Sequence, residues 1–310
     1  MMSKMSYAGL LNQTLDIYEK EGSLTAYKYI TDNATKVCGN TAQLFNFRYS
    51  LASASGLEVE ALNLMREAII ENGYWYEYDY LMADEDLISL RKYDEFDELV
   101  NICKEREVLA KTLAKPELKV INSKRTSSDL VIVAIHGDQE NIEITEEYWP
   151  SIGNKLVLPQ SSQIEFSNAY VWDDVDIGAN ELKVHVEQEG HMKSNQSSLI
   201  IGGFSAGCRV ALKAILTKKV EAVDGLIFMA PWLPEIDEYE ELIHHLKGIK
   251  VYVLCGDQDN DSLDCTKRFV EILATNNIAY SFKVIKDLSH EYPDDFNLYI
   301  EQGIDFISHI

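Results

Sequence analysis

The sequence predicts two regions of different class: an all-α module over residues 1–115 and, over residues 116–310, an α/β domain built on a mostly parallel, doubly wound sheet. Three observations predict it. Apolar residues recur at three- and four-residue spacing up to about Ala114; Lys115-Pro116 then stops the pattern; beyond it, short β-rich runs alternate with helical stretches. At 310 residues the chain exceeds the usual domain size of about 100–150 residues, so a main domain with an added module is the natural division.

In the first region the helical period is clearest from Ala42 to Asn72. Leu44, Phe47 and Leu51 share one face, Val59, Leu62, Met65, Ala68 and Ile69 another, and Ser53-Ala54-Ser55-Gly56 separates them. That reads as helix, turn, helix. The segment Ala42–Tyr76 resembles a tetratricopeptide hairpin of about one repeat length, with no clear second copy. A further helix runs from Phe96 through Leu99, Val100, Cys103 and Val108 to the proline stop. The stretch Tyr74-Trp75-Tyr76-Glu77-Tyr78-Asp79-Tyr80 is too aromatic to lie in water as one patch, so its rings should be buried within the module or against the second region.

In the second region the strands expected are Leu130–Ile135, Leu156–Leu158, Leu199–Ile201, Leu226–Met229, Val251–Leu254 and Tyr280–Ile285. Most are apolar without alternation, as strands buried on both faces are. Helices are expected at about 176–193, 206–219, 237–246, 263–276 and 294–308. Such a sheet binds ligands at the carboxyl ends of its strands.

Composition narrows the function classes. Apolar residues make up 46% and charged residues 25%, values of a folded globular chain and not of a disordered one. The net charge is −23, with 12 basic against 19 acidic side chains in residues 1–115 and 16 against 32 in the rest. A surface this acidic repels phosphate backbones and anionic headgroups, which argues against nucleic-acid and membrane partners. Five scattered cysteines without CxxC spacing suggest neither a disulfide framework nor a zinc site, and no signal-like or membrane-spanning apolar run is seen; a cytoplasmic protein is expected.

The chemistry centres on Gly203-Phe204-Ser205-Ala206-Gly207, between an apolar run and a helix-like one. In so sharp a strand-to-helix turn the serine is strained, and glycine two residues either side removes the collisions that side chains would make. A serine hydroxyl is a poor nucleophile unless an adjacent base takes its proton. In chain order nucleophile, acid, histidine, the acid follows the next-to-last strand, where Cys255-Gly256-Asp257-Gln258-Asp259 offers Asp259, with Asp257 as its competitor. Of the seven histidines, His136, His185, His191, His244, His245, His290 and His309, only His290 and His309 follow, and His309 sits on the terminal helix. His290 is the expected base.

A tetrahedral intermediate also needs backbone N–H donors at its oxyanion. Those expected are the amides of Ala206 and of Asp138 or a near neighbour, the latter in His136-Gly137-Asp138 directly after the strand Leu130–Ile135; His136 itself is expected to be structural. Asp257, Asp259, Asp261 and Asp264 invite a calcium reading. It fails, because Ser262 stands at the glycine position of the loop template and Arg268 at the glutamate position. No metal and no cofactor are expected.

Together, His136-Gly137-Asp138, Leu158-Pro159-Gln160-Ser161-Ser162, Tyr170-Val171-Trp172-Asp173-Asp174, Gly202–Gly207, Gly256–Asp259 and Ser289-His290 resemble the phospholipase/carboxylesterase family, related to acyl-protein thioesterases and dienelactone hydrolases. The resemblance covers about residues 118–308. It implies the α/β-hydrolase fold and hydrolysis of esters or thioesters through an acyl-enzyme, with Ser205, Asp259 and His290 in the matching positions. Dienelactone hydrolases typically carry cysteine where this chain has Ser205, and Ala206, Gly207 and Cys208 depart from the thioesterase pattern, which leaves the acyl and leaving groups open.

Trp172 and Trp232 fall in loops that line the pocket in related folds and are the expected substrate-binding residues, a core role being the alternative for Trp172. The expected substrate is a small-molecule acyl ester or thioester, with a protein partner through the helical module. The alternatives are a serine peptidase of the acylaminoacyl or prolyl type, or a non-enzymatic binding module whose hydrolase part is vestigial.

Overall fold

The computed structural model describes residues 5–122, 130–150, 154–188 and 198–309. His191, and the end of the helix expected at 176–193, lie outside them. The chain divides into two compact units, one of residues 1–114 with 163–170 and the other of residues 115–162 with 171–310.

The first unit is helical, as its spacing requires. Its helices are α1 (Tyr7–Glu21), α2 (Ser23–Asn33), α3 (Thr41–Ala54), α4 (Glu58–Arg66), α5 (Tyr78–Ala83) and α6 (Asp94–Leu113), with a 3₁₀ segment at Glu85–Lys92 and a π turn at Glu67–Glu71. Ser6 and Asn40 cap α1 and α3 by accepting the amides of Gly9 and Ala42. Helices α3 and α4 form the expected hairpin, and Phe45, Tyr49, Leu62, Met65, Ile69, Phe96 and Val100 meet in one core.

Of the aromatic stretch, Trp75 and Tyr76 are buried in that core while Tyr80 is 43% exposed. Sequence spacing did not reveal what covers them. The segment 163–170 forms a two-stranded hairpin, β4 (Ile164–Phe166) and β5 (Ala169–Tyr170). Ser167 donates its N–H to the Trp75 carbonyl and accepts the Trp75 amide on its hydroxyl at 2.8 Å. Phe166 stacks on Tyr76 at 6.0 Å, and the Tyr76 hydroxyl donates to the Ala42 carbonyl. The helical unit is thus completed by residues from the middle of the second region.

The second unit is a seven-stranded sheet of order β1-β3-β2-β6-β7-β8-β9. Its strands are β1 (Glu117–Ile121), β2 (Leu130–Ile135), β3 (Lys155–Gln160), β6 (Ser198–Phe204), β7 (Gly225–Met229), β8 (Lys250–Gly256) and β9 (Tyr280–Ile285). All neighbours run parallel except β1, which pairs antiparallel with β3 through Leu118↔Pro159 and Val120↔Val157. Alternate residues of one strand enter different cores: Val131, Val133 and Ile135 one, Ile132 and Ala134 the other. That is why these strands read as continuous apolar runs.

One core is shared with α8 (Val175–Gln188), α9 (Ala206–Leu216), α10 (Asn260–Thr275) and a 3₁₀ segment at Ile236–Leu246; the other with α7 (Ile142–Tyr148) and α11 (Phe296–Ser308). Helix α7 and strand β1 were not foreseen. Both are short, and β1 is a half-exposed edge strand with a weak apolar signal.

Candidate active site

Strand β6 enters α9 through one residue, Ser205, whose backbone lies at φ 49°, ψ −121°. For a residue with a Cβ this is strained, and such strain persists only where surrounding bonds over-determine it. Three do so. The Ser205 amide donates to the Met229 carbonyl at 3.0 Å, and its carbonyl accepts from the amides of Cys208 at 3.1 Å and Trp232 at 3.2 Å.

The flanking glycines are required by close approach. A Cβ on Gly203 would stand 2.8 Å from the Cys208 nitrogen, across the turn itself. One on Gly207 would stand 2.4 Å from the His136 carbonyl oxygen and 2.6 Å from that of Ile135. The second glycine therefore admits α9 against the end of β2, a contact with a neighbouring strand and not with the serine.

The acid and histidine loops are brought together by similar means. A Cβ on Gly256, at the end of β8, would lie 2.0 Å from the Leu288 carbonyl oxygen. Without one, the loop 286–293 settles on the strand end, with the amides of Asp257 and Gln258 donating to the carbonyls of Ile285 and Leu288. His290 Nδ1 then meets Asp259 Oδ2 at 2.7 Å. Asp259 is 6% exposed and caps α10, accepting the Ser262 amide. Asp257 is exposed and accepts the Asp287 amide at 2.7 Å. The His290 ring packs on Phe204, the residue before Ser205, at 4.8 Å between centroids.

Ala206 is the first residue of α9, where helical amides have no intrahelical acceptor. Asp138 sits in the turn after β2, and the Gly207–His136 approach sets these two segments side by side. Burial pushes the Asp138 carboxyl up from the usual aspartate value, and its Oδ1 accepts the Trp172 amide at 2.7 Å. Its side chain is thereby tied to the loop that carries Trp172.

His136 is fully buried, and burial pushes it down to about 4. Its Nδ1–H donates to the Gly137 carbonyl at 2.6 Å and its Nε2 accepts the Ser161 amide at 3.2 Å, so it is a neutral, single-tautomer strut.

Trp172 is placed otherwise than the substrate-binding expectation. It is 1% exposed, stacks on His136 at 4.7 Å, donates Nε1–H to the His136 carbonyl at 2.8 Å, and fills the space above Gly178. So enclosed, the indole packs as a core residue against the His136 loop, the alternative that the sequence left open. Trp232 is 36% exposed, with its amide on the Ser205 carbonyl.

Two neighbours of the site escaped the sequence reading. Ser262 Oγ lies 3.1 Å from His290 Nδ1; its signal was the Asp-x-x-Ser spacing of a helix start. Glu140, 7% exposed, accepts the Gly137 amide at 2.9 Å; a lone glutamate after a strand carries no signal of burial.

Residues 165–307 match the model of the family described as phospholipase/carboxylesterase, and residues 6–111 match that of an A/B hydrolase-like N-terminal domain. Among solved structures, an uncharacterized protein from Bacillus cereus is 50% identical over 98% of this chain and 100% of its own, with a TM-score of 0.57. Esterase PE8 is 16% identical over 62% of this chain and 99% of its own, TM-score 0.51. Est1E from Butyrivibrio proteoclasticus, solved with ferulic acid bound, is 13% identical over 63% and 96%, TM-score 0.50. The latter two share the fold. No curated protein matches significantly. The strained Ser205 turn, the parallel sheet and both family models agree: the chain has an α/β-hydrolase fold that follows a helical N-terminal domain, and its residues 165–307 resemble the phospholipase/carboxylesterase family.

Proposed function

We propose that the protein is a serine hydrolase that cleaves carboxylic esters or thioesters through an acyl-enzyme on Ser205. The observation that carries this reading is the 2.7 Å bond between buried Asp259 and His290, whose ring packs on the residue before a serine held at φ 49°. Asp259 accepts the Nδ1–H of His290, which leaves the other ring nitrogen with a lone pair for the Ser205 hydroxyl proton. As Oγ bonds to the acyl carbon, the carbonyl electron pair moves onto oxygen, where the amides of Ala206 and Asp138 receive the charge. The tetrahedral species collapses, the leaving alkoxide or thiolate takes the proton from imidazolium, and water then repeats the sequence to release the acid.

Trp232 is the proposed substrate wall, being half-exposed and tied to the Ser205 carbonyl. The five cysteines are free thiols, which supports a reducing, cytoplasmic setting. Among the described residues no helix is long and apolar enough to cross a membrane. The helical unit is proposed to receive a protein partner. The test is side-by-side turnover of acyl esters, acyl thioesters and aminoacyl amides, with fluorophosphonate labelling mapped to a residue. Turnover of esters or thioesters with the label on Ser205 is expected; a label elsewhere, or turnover of amides alone, overturns the reading.

A further inference from the structure

Glu140 closes the turn by which the chain leaves β2. Its Oε2 accepts the Gly137 amide at 2.9 Å, and its own amide reaches back to the Gly137 carbonyl at 3.4 Å. Gln139, between them, is held at φ 61°. This turn carries the Asp138 amide. Phe204, on which the His290 ring packs, also abuts Gly137. The titratable groups that act on Glu140 are His290 and Asp138, and the buried Tyr292 phenol feels it in turn; neutral His136 holds the same Gly137 from its other side. A buried carboxyl that closes this turn and acts electrostatically on His290 has no part in the scheme above.

We propose that Glu140 is a positioning residue for the hydrolytic reaction: its carboxylate holds the turn that presents the Asp138 amide and, when ionised, stabilises the positive charge that His290 takes on with the Ser205 proton. The role rests on the serine-hydrolase reading. A charge-assisted bond to an ionised carboxylate is stronger than one to its neutral form, so the turn is held best when Glu140 is charged. Burial pushes Glu140 up to about 7, which puts that change of state in the neutral range. The sign follows directly. Below this value the turn loses its anionic acceptor and His290 its anionic neighbour; above it both are present. Since His290 must also be unprotonated to act as base, the fall in activity on the acid side has two parts: protonation of His290 abolishes it, and protonation of Glu140 lowers it.

The experiment uses the full chain with p-nitrophenyl acetate. The logarithm of kcat/KM is expected to rise on the acid side with a slope of about one in Glu140→Gln, whose kcat at alkaline pH falls roughly tenfold with KM little changed, and in the wild type to gain a further step of about tenfold near neutrality, where Glu140 ionises. Carboxyl carbon NMR of the wild-type protein labelled in glutamate should show one carboxyl titrating near neutrality, absent from Glu140→Gln and from Glu140→Asp. The same single-proton profile in both proteins, or no wild-type glutamate titrating above the ordinary range, overturns the proposal. The NMR result decides the matter even where Glu140→Gln fails to fold. A wild-type protein with neither turnover nor fluorophosphonate labelling would instead overturn the hydrolase reading, whereas normal turnover with the single-proton profile removes Glu140 alone.

Discussion

Replacing Asp259 by asparagine keeps the side chain's size and removes its charge at the point where the structure leaves least room for substitutes. The carboxylate is 6% exposed, its Oδ2 holds His290 Nδ1 at 2.7 Å, and its Oδ1 caps α10. An asparagine keeps the cap by presenting its carbonyl to the Ser262 amide and turns its NH₂ toward Nδ1. The imidazole must then accept at Nδ1, which moves its proton to the nitrogen that ought to receive the one from Ser205. Mis-set tautomers of this kind cost about 10⁴ in kcat, or roughly 5.5 kcal/mol of transition-state stabilisation.

One structural feature moderates the figure. Ser262 Oγ, 3.1 Å from the same nitrogen, can take up part of the lost acceptor role, so a loss of about 10³ is the lower bound. Asp257→Asn is the control, because its exposed carboxylate only accepts the Asp287 amide at 2.7 Å, which an asparagine oxygen also does. Its effect should stay within about 0.5 kcal/mol, roughly twofold in rate. The assay is burst kinetics on p-nitrophenyl acetate for both variants and for Asp259→Asn combined with Ser262→Ala, with thermal melts to verify folding. The reasoning is refuted if Asp257→Asn loses more activity than Asp259→Asn, or if Asp259→Asn stays within tenfold of the parent.

Ser205→Ala should abolish turnover and fluorophosphonate labelling while leaving the melting curve in place; label retained on the variant would show that another residue is the nucleophile. Gly207→Ala places a Cβ 2.4 Å from the His136 oxygen and 2.6 Å from that of Ile135. The start of α9 and the turn after β2 must then part, costing about 1–3 kcal/mol of stability and about 10² in rate; a variant as active as the parent would show that this approach does not set the site. Glu140 predicts a pH-dependent stability, separate from its effect on rate. Its native value of about 7 lies above the ordinary 4.5, so the folded state holds the proton more tightly. The penalty for burying its charge is absent below the ordinary value, grows between the two, and is complete above the native one, at roughly 3 kcal/mol as an upper bound. Urea unfolding should therefore find Glu140→Gln more stable than the parent in mild alkali and no more stable in acid, and a difference independent of pH would contradict the burial argument.

Much of the fold was legible because its signals are local. Buried parallel strands announce themselves as short apolar runs, and helices by a period of three to four, so β2, β6, β7, β8 and β9 fell within a residue or a few of where they were expected. The glycine pair around Ser205 is legible for the same reason: a turn that tight excludes a Cβ whatever surrounds it, although for Gly207 the excluded atoms belong to β2. Asp259 and Asp257 could be ranked, but not separated, by sequence, since both lie beyond the same strand end. Which of them meets His290 depends on how loop 286–293 settles over Gly256.

The sequence by itself therefore determined the class of each region, the order of the strands along the chain and the serine turn, all of them consequences of neighbours within a few residues. Tertiary structure alone decided the rest: that β1 runs against the sheet, that residues 163–170 join residues 1–114 in one unit around Trp75 and Tyr76, that Trp172 is enclosed, and that Glu140 is buried against the turn after β2. Burial and charge proximity are properties of chain packing, and a residue's immediate neighbours in sequence do not specify which distant side chains will exclude water from it.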